Sequence, residues 1–201
     1  MGEILYQGHS SFRIRTNKGL VFYIDPFKGT GYDMMADVVL ITHNHFDHNN
    51  LDIVPKKEDC TVITPKEAMS GEEYNSFQIN DILVEAVPAY NKFHPKNECV
   101  GYIIEIEGRK VYFPGDTGIT REMESYPERN LDLIFVPCDG IYTMTLEEAK
   151  RCTEIVKAKF CVPIHMVPQE GEDSPLFDME KARAFEGEEK FIVKPGENIV
   201  L

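Results

Sequence analysis

Apolar residues along this chain gather mostly in short runs rather than in long helical stripes, and that pattern predicts strands. Phe12–Arg15 and Leu20–Ile24 flank the turn signal Asn17-Lys18-Gly19 and read as a hairpin. Within Asp37–Thr42, Val38-Val39-Leu40-Ile41 is a continuous apolar run, as expected of a strand buried on both faces. Thr61–Thr64 and Ile82–Val87 are further strands. Val100–Glu107 and Lys110–Phe113 flank Gly108-Arg109 as a second hairpin, and Leu131–Val136 and Phe160–Ile164 are later buried strands. Phe191–Lys194 and Asn198–Leu201 flank Pro195-Gly196 and close the chain.

The clearest helix begins at Thr145, where Thr145-Leu146-Glu147-Glu148 is a capping box. Leu146, Ala149, Cys152, Ile155 and Val156 then recur at helical spacing, and Lys157 and Lys159 suit the negative end of the helix dipole. A second helix is expected over Met179–Phe185, and shorter ones after His48 and Pro65. Many strands with a few interleaved helices predict an α/β sandwich. With no linker composition and no internal repeat in the residues, residues 1–201 read as one domain.

Composition narrows the partners. The 201 residues carry 21 Lys+Arg against 34 Asp+Glu, a formal net charge of −13, and no basic block that could follow a phosphate backbone. That argues against a general nucleic-acid binder, though not against a local positive site. No apolar run approaches the roughly 18 residues of a membrane span. The start, Met1-Gly2-Glu3-Ile4-Leu5-Tyr6, lacks a basic segment followed by an apolar one, and Tyr6 stands where myristoylation wants Ser or Thr. Five cysteines with no C-x-x-C suggest reduced thiols and a cytoplasmic protein.

The chemistry lies in the histidines. The chain has six, and three fall in His43-Asn44-His45-Phe46-Asp47-His48, directly after the buried strand Asp37–Thr42. His43 and His45 are two apart, so in an extended segment they point the same way and can share one ion. Asp47 and His48 are adjacent and need a turn to reach a second ion. Imidazole and carboxylate are ligands for Zn²⁺, Fe and Mn. His94, Asp116 and His165 each sit just beyond a predicted strand end, where side chains can converge outside the packed core.

The run His43-x-His45-x-Asp47-His48 resembles the signature of the metallo-β-lactamase superfamily. The resemblance extends from Gly8-His9-Ser10-Ser11-Phe12 and Tyr23-Ile24-Asp25-Pro26 through Val100-Gly101-Tyr102-Ile103-Ile104 and Tyr112-Phe113-Pro114-Gly115-Asp116-Thr117 to Val162-Pro163-Ile164-His165. The compact length is similar to the single-domain metal-dependent hydrolases related to ascorbate-6-phosphate lactonase. The resemblance implies a four-layer αββα sandwich with two metals at one edge. It implies that His43, His45 and His94 hold the first ion, that Asp47, His48 and His165 hold the second, and that Asp116 bridges them. Gly118 departs from the pattern, since many relatives have Asp there.

Two divalent ions with Asp47 and Asp116 would leave the site at about +2, so small anionic substrates are among those it could hold. Metal-bound water near pKa 7 would supply a hydroxide for attack on a carbonyl or phosphoryl centre, with Asp47 orienting it and accepting its proton. Zn²⁺ is the first expectation, with Mn²⁺ or Fe as alternatives. Other residues carry two readings each. Asp25 either hydrogen-bonds a ligand imidazole or serves a turn. His9 either reaches the substrate or metal, or packs structurally. Tyr142, Thr143 and Met144 either line the pocket or only lead into the capped helix.

The leading expectation is hydrolysis of a small ester, lactone or phosphate-containing substrate, with no nucleic-acid or membrane partner and self-association left open. The alternatives are a phosphodiesterase acting on a nucleotide or RNA end, and a non-hydrolytic iron or redox protein. His45, where iron-using relatives often have Glu, argues against iron.

Overall fold

The computed structural model describes residues 2–171 and 173–201; Met1, the first residue of the segment read above for a leader, lies outside the described residues. The predicted strands assemble into two six-stranded sheets. The first has the order β14-β1-β2-β3-β4-β5, with β1 at Glu3–Gly8, β2 at Ser11–Arg15, β3 at Val21–Ile24, β4 at Ala36–Leu40, β5 at Lys56–Ile63 and β14 at Asn198–Val200. The second has the order β13-β12-β11-β10-β9-β8, with β8 at Ser76–Ile79, β9 at Ile82–Pro88, β10 at Val100–Ile106, β11 at Arg109–Phe113, β12 at Leu133–Pro137 and β13 at Phe160–Ile164. A small ribbon, β6 at Met69–Ser70 and β7 at Glu73–Tyr74, lies between them in sequence.

The two sheets repeat one plan. In each, three strands meander antiparallel (β1-β2-β3 and β9-β10-β11), and two more follow in parallel (β4-β5 and β12-β13). The residues carry no matching repeat, because a strand needs only an apolar pattern and many side chains satisfy it. The parallel pairings set the function: the carboxyl ends of β3, β4, β11, β12 and β13 are where binding groups can gather outside the sheet.

Between the sheets lies the main core, which includes Ile4, Tyr6, Phe12, Phe22, Leu40, Tyr102, Phe113 and Phe135, all buried. Phe12 and Phe135 approach across it at 4.2 Å between ring centroids, and Phe113 stacks on Phe135 at 5.0 Å. Phe135→Ala should cost about 3–5 kcal/mol, a large part of the roughly 5–15 kcal/mol of a typical domain. Urea unfolding of the variant and the parent would read the difference directly.

Helices cover the second sheet. α2 at Leu146–Val156 and α3 at Met179–Ala184 pack Ala149, Cys152, Val156 and Ala182 against its outer face, together with Met123 and Tyr126 of a 3₁₀ helix at Arg121–Arg129. The predicted capping box is present: Thr145 Oγ1 accepts from Glu148 N at 3.2 Å, and Glu148 accepts from Thr145 N at 2.8 Å. The outer face of the first sheet is covered differently. Its Val21, Tyr23, Val39 and Ile41 pack under Tyr32, Met34, Leu51 and Ile53, from a loop and a single 3₁₀ turn at Leu51–Ile53. The expected helix after Pro65 is the one-turn α1, Pro65–Ala68.

Some expectations are corrected. Phe191–Lys194 is not a strand; Lys190 makes an isolated bridge to Cys161, and Phe191 and Val193 pack into the inter-sheet core. The last strand therefore pairs not with that segment but with β1, through Glu3↔Val200 and Ile4↔Ile199. β1 itself went unread at the chain start. Lys157 is the left-handed C-cap of α2 rather than a residue of its last turn, and Lys159 pairs with Asp132 at 2.7 Å. All five cysteines are unpaired. Among the described residues, no helix is long and apolar enough to cross a membrane.

Candidate metal centre

Every sequence-predicted ligand sits just past a strand end. His43, His45, Asp47 and His48 follow β4, His94 follows β9, Asp116 follows β11 and His165 follows β13. Two local devices turn these side chains together. Gly115 adopts φ +64, and a Cβ there would meet Thr42 Cβ at 2.7 Å, so glycine lets the end of β11 lie against the end of β4. His9, Asp25 and His165 adopt φ of 55, 45 and 45. Non-glycine residues seldom take this left-handed conformation, and three of them at one cleft mark a functional cluster. The corner at His9 is tied to the opposite sheet, since its carbonyl accepts from His165 N at 2.9 Å.

Among the described residues the side chains form two main groups, each with its donor atoms within 4.8 Å of one another, His43, His45 and His94 in one and His9, Asp47, His48 and His165 in the other; a third set, Asp25 with His43 and His48, overlaps both. Asp116 stands between them. Its Oδ2 lies 3.4 Å from His94 Nε2, 3.9 Å from His43 Nε2 and 3.0 Å from His165 Nε2, and its Oδ1 lies 3.4 Å from His48 Nε2. His9 joins the second group through a 3.1 Å contact between its Nε2 and Asp47 Oδ2, and its ring lies 3.8 Å from that of His165.

Three of the imidazoles are oriented from behind by hydrogen bonds at Nδ1. His48 Nδ1 lies 2.8 Å from Asp25 Oδ2, His43 Nδ1 lies 3.0 Å from Thr42 Oγ1, and His94 Nδ1 lies 3.0 Å from Asn91 Oδ1. His165 Nδ1 also faces a carboxylate, Asp139 Oδ2 at 2.9 Å, without a properly directed hydrogen bond. The opposite nitrogens, Nε2 of His43, His48, His94 and His165, are buried without a properly directed hydrogen bond, as is Asp116 Oδ1. Buried polar atoms are rarely left this way. Nδ1 anchored to an oxygen with Nε2 left free is the arrangement that metal-binding histidines adopt. The residues therefore fit divalent ions, and the donor set of imidazole and carboxylate suits Zn²⁺, Mn²⁺ or Fe.

The local field points the same way. Burial pulls the imidazoles toward neutrality, taking His43 well below its usual value, His94 to about 4 and His9 to about 3. His165 is buried as well, yet the Asp116 carboxylate, with Asp139, pushes it up to about 9. Asp116 and Asp25 likewise raise His48 well above its ordinary range. Burial opposes ionisation of Asp116 and Asp47, but the surrounding imidazoles outweigh it and hold both low. Asp116 and Asp47 thus remain charged in a buried site, and the potential that draws protons there also draws cations.

Asp25 also accepts from Thr42 N at 2.7 Å and Thr42 Oγ1 at 2.6 Å, so it joins the ends of β3 and β4 as well as orienting His48. Asn tolerates left-handed backbone, so Asp25→Asn removes the charge with little backbone cost. Its affinity for metal should fall about 10–100-fold, as loss of an outer partner of a ligand histidine typically does. Competition against a chromophoric chelator would measure it.

Asp47, His94, Asp116, His165, His45, Phe46, Tyr142 and Gln169 line a pocket of about 250 Å³. Tyr142 is therefore at the site. Thr143 faces a neighbouring depression, and its Oγ1 accepts from Asp139 N at 3.0 Å. Met144 is core. The sequence reading missed Thr42, Asn91 and Asp139 as orienting groups. For Asp139 a signal existed: a carboxylate just past the end of β12, in the same place as the other ligands. Asn91 and Thr42 carried none beyond their proximity to His94 and His43.

Residues 3–165 match the family model described as a beta-lactamase superfamily domain. A UPF0173 metal-dependent hydrolase of Geobacillus sp. strain WCH70 is 30% identical over 192 residues, covering 81% of this chain and 84% of that protein. A UPF0173 metal-dependent hydrolase of Thermococcus onnurineus is 29% identical over the whole of both chains. Among solved structures, Igni18, a metallo hydrolase of Ignicoccus hospitalis, superposes with a TM-score of 0.72 at 23% identity, covering 98% of this chain and 97% of that one, a likeness of fold.

Proposed function

The chain belongs to the beta-lactamase superfamily, among its UPF0173 metal-dependent hydrolases, and from that membership we propose a hydrolase with a dinuclear metal centre acting on a small ester, lactone or phosphate-containing substrate. The observation that carries this reading is Asp116, a single buried carboxylate within 3.4 Å of imidazoles from both donor groups. His43, His45 and His94 would hold one ion, and Asp47, His48 and His165 the other, with His9 completing the second group through Asp47. When bound, two such ions would lower the pKa of water toward about 7 and polarise the substrate oxygen.

The chain's own residues do the remainder. Asp116 Oδ2 faces His94 and His165, one from each group, while Oδ1 faces His48, so a single carboxylate serves both groups. Asp47 orients the attacking water and receives its proton at a carboxylate oxygen, while His9 Nε2 holds Oδ2 in place. Asp25, Thr42 and Asn91 hold the His48, His43 and His94 imidazoles at Nδ1, so little reorganisation is needed during reaction.

The test is stoichiometry. Protein purified without chelator should contain about two divalent ions per chain by elemental analysis, since seven ligands exceed the four of one tetrahedral ion. A single ion bound in metal excess would sink the dinuclear assignment, whatever the activity.

A further inference from the structure

Apolar side chains crowd the mouth of this pocket. Among the described residues, the exposed large apolar side chains are Met35, Phe46, Phe93, Ile141, Tyr142, Phe160 and Val200. Four of them stand on the three loops that bring His45, His94 and Asp139 to the site: Phe46 at 64% exposure, Phe93 at 42%, Ile141 at 52% and Tyr142 at 39%. Scattered exposed apolar residues are ordinary, but their gathering around one cleft marks a binding surface.

Their placement is specific. Phe46 and Tyr142 line the pocket itself, beside His45, Asp47, His94 and Asp116. Phe46 is braced edge-on by Phe27 at 5.7 Å, and Tyr142 by Phe93 at 5.4 Å. Beyond Tyr142 the surface continues into a depression of about 370 Å³ where Phe93 and Ile141 stand beside the polar Asn91, Lys92, Thr143 and Glu148. Among the described residues, no Lys or Arg side chain lines the inner pocket. The cation of the outer depression, Lys92, sits over the Phe93 ring at 4.6 Å. A multiply charged phosphate seated in the inner pocket would meet no guanidinium or ammonium there to supplement the metals; Lys66 lines a separate cavity of about 590 Å³ that shares His45 with it. The inner volume, below the roughly 300–1,000 Å³ of most ligand pockets, suits one small group rather than a nucleotide chain.

We propose that the substrate is an ester or lactone carrying an uncharged apolar group, an aryl ring or a branched alkyl chain, held between Phe46 and Tyr142 with its carbonyl toward the histidine and aspartate cluster. This rests on the hydrolase reading above. In the reaction, the oxygen of water bonds to the acyl carbon and the acyl C–O bond breaks. The leaving oxygen takes a proton to become the alcohol, and the acid is released as the carboxylate and a proton. Phe46 and Tyr142 act on specificity, by removing the apolar group from water.

Two hydroxamates with one metal-binding head and different tails test this on zinc-loaded protein by calorimetry. Phenylacetohydroxamate should bind at least about tenfold tighter than acetohydroxamate, the return on burying a phenyl ring. Phe46→Ala and Tyr142→Ala should each reduce that ratio about threefold or more while metal content is unchanged. Inorganic phosphate should bind more weakly than phenylacetohydroxamate. Equal affinities for the two hydroxamates, a ratio untouched by both variants, or tighter phosphate binding would each overturn the apolar specificity and leave the metal hydrolase standing. If neither hydroxamate binds protein that carries its zinc, the metal-facing pocket is wrong, and both readings fall together.

Discussion

Asp116→Ala is expected to abolish hydrolysis and to loosen both ions together. Asp116 reaches imidazoles of both groups within 3.4 Å, His48 and His165 on one side and His94 on the other. Its removal also takes away a negative charge at the centre of the site. The loss of affinity should exceed the roughly 100-fold that follows removal of an orienting partner alone. His94→Ala should behave differently, because His94 belongs to the His43 and His45 group only. One ion should be weakened and the other retained. Titration of each variant with Zn²⁺ or Mn²⁺ separates the two patterns. Retention of one tight ion by Asp116→Ala would deny the bridge, and normal binding of two by His94→Ala would remove His94 from the ligands.

The second large effect is expected at Asp47. Asp47→Asn keeps the shape and one oxygen but loses the charge. If Asp47 only holds an ion, activity should recover when metal is restored to full occupancy. If it also directs water, kcat should stay down about 10²–10⁴-fold at saturating metal. The structure favours the second outcome. Asp47 is mostly buried, its Oδ2 is held by His9, and the surrounding imidazoles keep it ionised against the cost of burial. Near-native turnover in a fully loaded Asp47→Asn protein would leave the metals and their histidines to carry the chemistry alone.

The histidine cluster was legible because its geometry is local. His43 and His45 lie two apart beyond a strand, so spacing alone brings their rings together, at 4.5 Å between centroids, and the chain turns from His45 to His48, whose N donates to His45 O at 3.1 Å. Strands such as Val38–Leu40 and the Phe12–Ile24 hairpin were legible because apolar runs and turn residues are written into consecutive positions. The same rule misled at Phe191, where an apolar run packs its side chains into the inter-sheet core without joining a sheet. Pairing partners depend on which edge is free, and the free edge belonged to β1.

The sequence by itself determined the kind of chemistry and its ingredients: imidazoles and carboxylates at strand ends, an acidic surface without a basic tract, a capped helix and an alternation suited to a two-sheet sandwich. Only the tertiary structure decided how those ingredients divide and what supports them. It brought His9 from the first corner against His165 near the end of the chain, put Asp116 between two groups, set Asp25 and Asp139 behind His48 and His165, and gathered Phe46 and Tyr142 at one mouth. These are contacts between residues tens to more than a hundred positions apart. Their register follows from sheet pairing and from the close approach that Gly115 permits, and no local spacing in the chain encodes either.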